Sequence, residues 1–422
     1  MKKPFSWDIY SDQAALLKDK AYKKKMRKKE LFSLIKTYLI SLVILPVAWL
    51  VMPFAKRKPV MSKEFFTLGV DFERESKKTL AMLDDLRVQS ILVRIGLWEM
   101  EKLPKLKSFI EQNPNRHITL KIMQDKEHIE DKELLKQDLR KIFESLHVNI
   151  YEIGTTINRT KWGFFSVNEY LEFYKVAYNL KKEHFPNIQL IGSGVIDFEF
   201  HFTAHTLFNF CNCHYDGIAA LLYVDRRGAP ENTQLGHSLQ DKIALLSSLV
   251  TMSPKTKKKI YITETNYPIK DTAPYAPTSP KECVSEEDYT HFMVRYYLLA
   301  FASAQVDMVS WHQLIAKGYG LVSYDFEEKK LHKRKAYDAY KTMLSHLQGA
   351  KFLRMDVKRL HYRIMCIKDD KLLEIHWSLV EKEFDFSDGY EIYDIYGAKI
   401  ASGVLHVNEA PYYIYDTKAE VV

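Results

Sequence analysis

Short apolar runs alternate with longer amphipathic stretches along most of this chain. The first run covers residues 66–72 and is followed by a helical stretch at 77–86. Runs at 91–95 and 118–123 come next, separated by a helix near 104–111. Before the fourth run, at 149–153, residues 132–146 place Leu135, Leu139, Ile142, Phe143 and Leu146 at helical spacing. Further runs at 188–192, 217–223, 259–264 and 307–311 are interleaved with helices at 167–184 and 288–303. Eight strands alternating with helices predict parallel βα units, and eight units close a (β/α)8 barrel of the TIM type. An open doubly wound sheet is the rival, but no glycine-rich phosphate turn follows the first strand.

From about residue 351 the period shortens to two. Runs at 359–365, 372–377, 391–396 and 412–415, with turns at Lys368-Asp369-Asp370 and Gly397, predict a small antiparallel β-domain over 351–422. At the other end, the apolar run from Tyr38 to Phe54 is interrupted by Ser41 and Pro46. Taken as residues 37–55, it is near the lower limit of the roughly 17–25 residues that cross a bilayer. No small-residue cleavage site follows it, so an uncleaved transmembrane anchor is expected. The alternative is an apolar helix lying on the barrel or in the membrane interface. The barrel itself is expected over residues 64–345.

The chain has 422 residues and a formal charge of +8, with ten Lys and Arg in its first thirty positions. No recognition-helix pattern or zinc-finger spacing accompanies them, which argues against nucleic acid. A basic segment over residues 1–36 just before an apolar run suits a membrane instead. By the positive-inside rule it places the N-terminus in the cytoplasm and the barrel in the periplasm or outside, although Lys56, Arg57, Lys58 and Lys63 weaken the asymmetry. Cys211 and Cys213 cannot complete a four-ligand zinc site, and buried free thiols are expected, with a disulfide to Cys283 permitted but not called for by spacing. No metal cluster and no cofactor motif is found. Aromatic residues at 13% suit a sugar-binding cleft and bulky core packing equally.

In such barrels the reacting groups stand at the C-terminal ends of the strands. Those ends carry Asp71 and Glu73; Arg94, Trp98 and Glu99; Gln124 and Asp125; Thr155, Thr156 and Asn158; Asp197 and Glu199; Tyr223, Asp225, Arg226 and Arg227; Glu264 and Asn266; and Trp311 and His312. Arg159, Lys161, Lys121, Arg226 and Arg227 would set cations around the rim. They read either as solvated loop charges or as recognition of a carboxylated or phosphorylated sugar. Trp98, Trp162 and Trp311 suit stacking on sugar rings or core packing alike. His312 alone reads as a core histidine.

Glu152-Ile153-Gly154 with Asn158 in frame, Thr263-Glu264-Thr265-Asn266, Arg94, and Trp311 ahead of Lys317-Gly318-Tyr319-Gly320-Leu321 together resemble the retaining glycoside hydrolases of clan A, most closely the family 39-like members. The resemblance covers residues 64–345, and the small β-domain also fits. It implies Glu264 as a nucleophile attacking the anomeric carbon, with Arg94 holding that carboxylate ionised. It also implies a carbohydrate ligand for the strand-end residues.

Thr155 and Thr156 depart from the pattern, since they stand where an Asn and the acid/base Glu belong. A threonine hydroxyl cannot titrate near neutrality, and losing general-acid help typically costs about 10²–10⁴ in rate. Asp125, Glu199 or Asp225 could reach in from another strand end. Glu152 shares parity with Thr156 but lies roughly 6–7 Å deeper. An acidic substrate or a second protein could supply the proton. In the remaining case the cleft only binds, and the chain serves as a partner in assembly of an envelope polysaccharide. The expected function is retaining hydrolysis of a cell-envelope saccharide, with glycan binding as the alternative.

Overall fold

The computed structural model describes residues 5–55, 58–225, 228–387 and 389–418. The described chain opens with a short antiparallel pair, β1 (Trp7–Asp8) and β2 (Gln13–Ala14), followed by helices α1 (Lys20–Lys29) and α2 (Leu31–Val51). The barrel then runs β3 (Phe66–Val70), α3 (Ser76–Asp85), β4 (Ser90–Gly96), α4 (Leu103–Glu111), β5 (His117–Met123), α5 (Lys126–Glu130), α6 (Lys132–Ser145) and β6 (Ile150–Ile153). It continues through α7 (Val167–His184), β7 (Gln189–Ile196), α8 (Phe200–Leu207), β8 (Gly217–Leu221), α9 (Leu239–Met252), β9 (Ile260–Thr265), α10 (Glu286–Ser303) and β10 (Met308–Trp311). A hairpin, β11 (Val322–Asp325) and β12 (Lys330–Lys333), precedes the last outer helix, α11 (Lys335–Leu347).

Strands β3 to β10 close into a parallel barrel in which β10 returns to β3. They are near-continuous apolar runs because both faces are covered, inside by opposing strands and outside by helices. The helices start where the sequence provides caps. Ser166 and Ser285 each accept a bond from the third residue of the helix that follows, and Ser238 and Asp241 cap α9 reciprocally. Inside the barrel, Leu92, Ile150, Ile191, Ala219, Tyr261 and Met308 pack as one cluster. The next positions of the same parity on three of those strands are Arg94, Glu152 and Thr263, where the interior turns polar.

The pairing of β9 with β10 slips by one residue, from Val309 opposite Ile262 to Trp311 opposite Thr265. Such a bulge re-aims a side chain, and Glu264 is in it.

The C-terminal part is richer in strands than its sequence pattern suggested. β13 (Lys351–Lys358), β14 (His361–Lys368), β15 (Lys371–Ser378), β20 (Tyr412–Asp416), β17 (Tyr390–Tyr393) and β18 (Lys399–Ile400) form one six-stranded sheet in that spatial order. A two-stranded pair, β16 (Lys382–Phe386) with β19 (Gly403–Val407), packs beside it. The buried Arg295 of α10 ties this part to the barrel by ion-pairing with Glu231 at 3.0 Å and Glu409 at 3.0 Å.

Helix α2 starts at Leu31 rather than near residue 37. Its small polar face, Ser33, Thr37 and Ser41 with Ala48, is buried against α7, α8 and α9. Thr37 Oγ1 pairs with His205 Nδ1 at 2.8 Å, and Ser41 Oγ donates to the His201 carbonyl at 3.1 Å. The remaining faces of α2 are apolar and largely exposed. Leu31–Phe54 has the length and composition to cross a membrane.

Candidate active site

The chemistry gathers at the C-terminal mouth of the barrel around Glu264. Tyr223 Oη, just past β8, donates to Glu264 Oε1 at 2.8 Å. Lys121 Nζ on β5 lies 3.6 Å from Glu264 Oε2. Burial pushes this carboxyl toward neutrality, but the charges of Lys121, His312 and Arg94 and the Tyr223 bond outweigh it and hold the pKa down at about 2. Glu264 is therefore an ionised, oriented carboxylate at the floor of the mouth.

Beneath it is a second carboxylate. Glu152 is fully buried, accepts a bond from Thr263 Oγ1 at 3.1 Å, and places Oε2 at 3.4 Å from Lys121 Nζ. Lys121 thus bridges the two glutamates, and it is 1% exposed, below the cleft and not on its rim. Burial pushes the Glu152 pKa up to about 7. Lys121 and Thr263 oppose that rise, and the neighbouring Glu264 charge adds to it.

Thr156 lines the same cavity as Glu264 and Tyr223. Its backbone is left-handed, with φ +51. A β-branched residue is costly there, so this strand end is strained at the position where the acid/base residue was expected. Asp125, Glu199 and Asp225, the candidates to replace it from neighbouring strand ends, are not among the residues that line this cavity. Asp125 is 1% exposed, caps α5 and accepts from His128 Nδ1 at 2.7 Å. Glu199 accepts from Asn158 at 2.8 Å and pairs with Arg159 at 2.7 Å. Asp225 stands next to undescribed residues, and its charge is felt at Lys242 of α9.

The other expected site residues divide by what they touch. Lys161, Trp162, Asn266 and Arg94 line the cavity, as do Arg159, His312 and Tyr319. Asn266 donates to the His312 carbonyl at 2.8 Å. Asn158 instead laces β6 to β7, donating to the Ile196 carbonyl at 2.9 Å and accepting from Ile196 N–H at 3.0 Å. Trp311 is wholly buried, donates to Tyr289 Oη at 2.9 Å and packs among Tyr267, Tyr289 and Tyr297. It is a core residue and not a stacking platform. Trp311→Phe is accordingly expected to lower unfolding stability by about 1–3 kcal/mol, because Tyr289 loses its donor partner. Chemical denaturation measures this, and turnover should be unchanged. Arg226 and Arg227 lie outside the described residues.

The β1–β2 hairpin covers the mouth, an arrangement with no counterpart in the sequence reading. Trp7 packs on Trp98 and Trp162 at centroid distances of 5.2 and 5.7 Å, so Trp98 is buried beneath it. Asp12 ion-pairs with Arg94. Gln13 accepts from Lys161 at 2.9 Å and donates to the Pro277 carbonyl at 2.9 Å. The open space left between hairpin and barrel is about 220 Å³, below the roughly 300–1,000 Å³ usual for small-molecule sites. Burial opposes charging Arg94, but Asp12, Tyr319 and Glu264 raise its pKa further above the ordinary guanidinium value.

Among the described residues, no group of three or more His, Cys, Asp or Glu is placed to hold a metal ion, and all four cysteines are unpaired. No protein-family model and no curated protein matches the chain. Solved structures do match. A family 39 glycoside hydrolase from the gut symbiont Bacteroides cellulosilyticus WH2 aligns with a TM-score of 0.66 at 13% identity, covering 84% of this chain and 81% of that one. A family 39 β-xylosidase from Caulobacter crescentus aligns at 0.56 and 12% identity, covering 85% and 97%. A family 30 endoxylanase from Clostridium papyrosolvens C71 aligns at 0.56 and 10% identity, covering 85% and 98%. The chain has the barrel fold of family 39 and family 30 glycoside hydrolases, at a sequence distance where only the fold is shared evidence.

Proposed function

We propose that the cleft acts on a cell-envelope saccharide by retaining-type glycoside hydrolysis, with Glu264 as the nucleophile. The observation that carries this reading is the ionised Glu264, oriented by Tyr223 and neutralised by Lys121, Arg94 and His312 at the barrel mouth. A carboxylate attacking an anomeric carbon has to be charged and held in place, and the surroundings of Glu264 support that reading. Arg94 and Lys161, once released from Asp12 and Gln13 of the hairpin, would favour a saccharide bearing carboxylate or phosphate groups. The length and composition of α2 would allow membrane association, which is the reason for choosing an envelope substrate in this proposal.

Leaving-group protonation is the weak half of this mechanism. Thr156 cannot provide it, Asp125 and Glu199 are engaged elsewhere, and Asp12 is paired with Arg94. Substrates whose leaving group needs no proton are therefore the ones expected to turn over. The test is a panel of aryl glycosides with good leaving groups, compared with unactivated glycans, on the native chain and on Glu264→Ala. No turnover of any activated glycoside by the native chain would overturn the reading.

A second reading, glycan binding without cleavage, is favoured by the hairpin that sits on Arg94, Lys161 and the tryptophans. An intramolecular occupant lowers apparent affinity by the fraction of time it stays bound. Trp7→Ala/Asp12→Ala is therefore expected to tighten binding of an acidic oligosaccharide about tenfold or more, measured by calorimetry. Unchanged affinity would mean that the hairpin and the glycan do not compete.

A further inference from the structure

We infer that residues 5–54 lay the barrel on an anionic bilayer with α2 in the plane of the membrane, both ends of the helix remaining on the barrel's side. The inference rests on the membrane-association part of the proposed function and is independent of the chemistry at Glu264. The first argument is tethering. Ahead of α2, the hairpin is held in the barrel mouth by Trp7, Asp12 and Gln13. Behind α2, Lys58 pairs with Asp307 at 2.9 Å, next to the first residue of β10 and so at the opposite end of the barrel. The 21-residue helix is about 30 Å long and runs down the flank of the domain between these two anchorages. A helix crossing the bilayer with the barrel on its C-terminal side would carry the hairpin to the far side, away from Arg94 and Lys161.

The second argument is what α2 leaves uncovered. Its polar seam faces the barrel, and Phe32, Leu39, Leu42, Val43, Trp49 and Leu50 face outward, each at least 58% exposed. A different element extends this surface. Phe210, after α8, is 94% exposed and lies under Lys36 Nζ at 5.4 Å. Contiguous exposed apolar surface of this extent marks an interaction site. Charge identifies the partner. Lys20, Lys24, Lys25, Arg27, Lys28 and Lys29 are exposed on α1, which leads directly into α2. Exposed apolar surface next to a basic cluster suits attachment to anionic headgroups, and the two anchorages at the ends of α2 decide for lying in the plane over crossing.

The test uses the full chain in two ways. First, vesicles of phosphatidylcholine with phosphatidylglycerol are compared with phosphatidylcholine alone by flotation. Binding is expected to be at least tenfold stronger to the anionic vesicles and to fall at least tenfold in Leu39→Glu/Val43→Glu. Both substituted positions are exposed, so circular dichroism should be unchanged. Equal binding by native chain and variant would show that the outward face of α2 does not contact the bilayer and would overturn the in-plane arrangement, and no binding by the native chain would remove membrane association as well. Second, Lys24→Cys and Glu328→Cys are each placed in a Cys211→Ser background and labelled with an impermeant maleimide in sealed membrane vesicles from expressing cells. The in-plane arrangement gives labelling of both positions from the same side. Labelling from opposite sides would establish a spanning helix and overturn the inference while leaving membrane association intact.

Discussion

Glu264→Ala is expected to abolish turnover of activated aryl glycosides, by about 10⁴-fold or more, as when a group that bonds covalently to substrate is removed. The size of the loss follows from the geometry. Tyr223, Lys121, Arg94 and His312 all converge on this one carboxylate, and none of them is itself a carboxylate. Azide, small enough to enter the space left by the carboxylate, should restore part of the turnover. The native pH profile carries a second consequence. With a pKa of about 2, Glu264 is ionised across the range above pH 4, so it contributes no activity limb there. A loss of turnover on acidification with a midpoint near pH 5–6, assignable to Glu264 because Tyr223→Phe shifts it, would contradict this electrostatic picture.

Lys121→Met is expected to have the largest effect on stability, a loss of about 3–5 kcal/mol at pH 8. The methionine has nearly the same shape, so packing changes little, but Glu152 and Glu264 are left facing each other with no cation between them. The cost should depend on pH. Glu152 has its pKa raised in the folded state to about 7, so its favourable contribution is complete below the unfolded value of about 4.5 and is lost as pH rises through 7. Glu264 is the reverse. Its depressed pKa gives stability that is present above about 4.5 and lost as pH falls toward 2. The deficit of Lys121→Met should therefore be greatest at pH 8 and shrink near pH 5, where Glu152 is already protonated. Thermal unfolding at the two pH values decides the matter, and a deficit independent of pH would mean that Lys121 acts by packing alone. Loss of Lys121 should also raise the Glu264 pKa, so any activity left should decline at a higher pH than in the native chain.

The barrel was legible in the sequence because burial on two faces requires almost uninterrupted apolar strands, and eight such runs alternate with helical stretches. Four of the charged residues that break those runs, Arg94, Lys121, Glu152 and Glu264, belong to the site or to the layer beneath it, whereas Asp71 and Asp307 pair outside it with Arg74 and Lys58. That signal was visible in the sequence, but it could not rank depth. Lys121 was expected on the rim and is buried, because the strand continues past it to Met123 before the chain reaches the mouth. Trp311 and Asp125 stand at strand ends as expected, yet one is in the core and the other caps a helix. Position along a strand does not determine which way a side chain turns once the strand ends.

The hairpin was illegible for a different reason. Residues 7–14 carry no apolar periodicity, since their few contacts are made with residues far away in the chain: Trp7 with Trp98 and Trp162, Asp12 with Arg94, and Gln13 with Lys161 and Pro277. By itself, the sequence determined the barrel, the apolar N-terminal helix and the retention of one carboxylate opposite a threonine, because periodicity and residue identity are local properties. Tertiary structure alone decided that Glu264 is held ionised, that Glu152 and Lys121 form a buried pair below it, and that the hairpin of residues 7–14 covers the mouth. Each of these depends on distances between segments separated by tens to hundreds of residues, and only the folded backbone sets those distances.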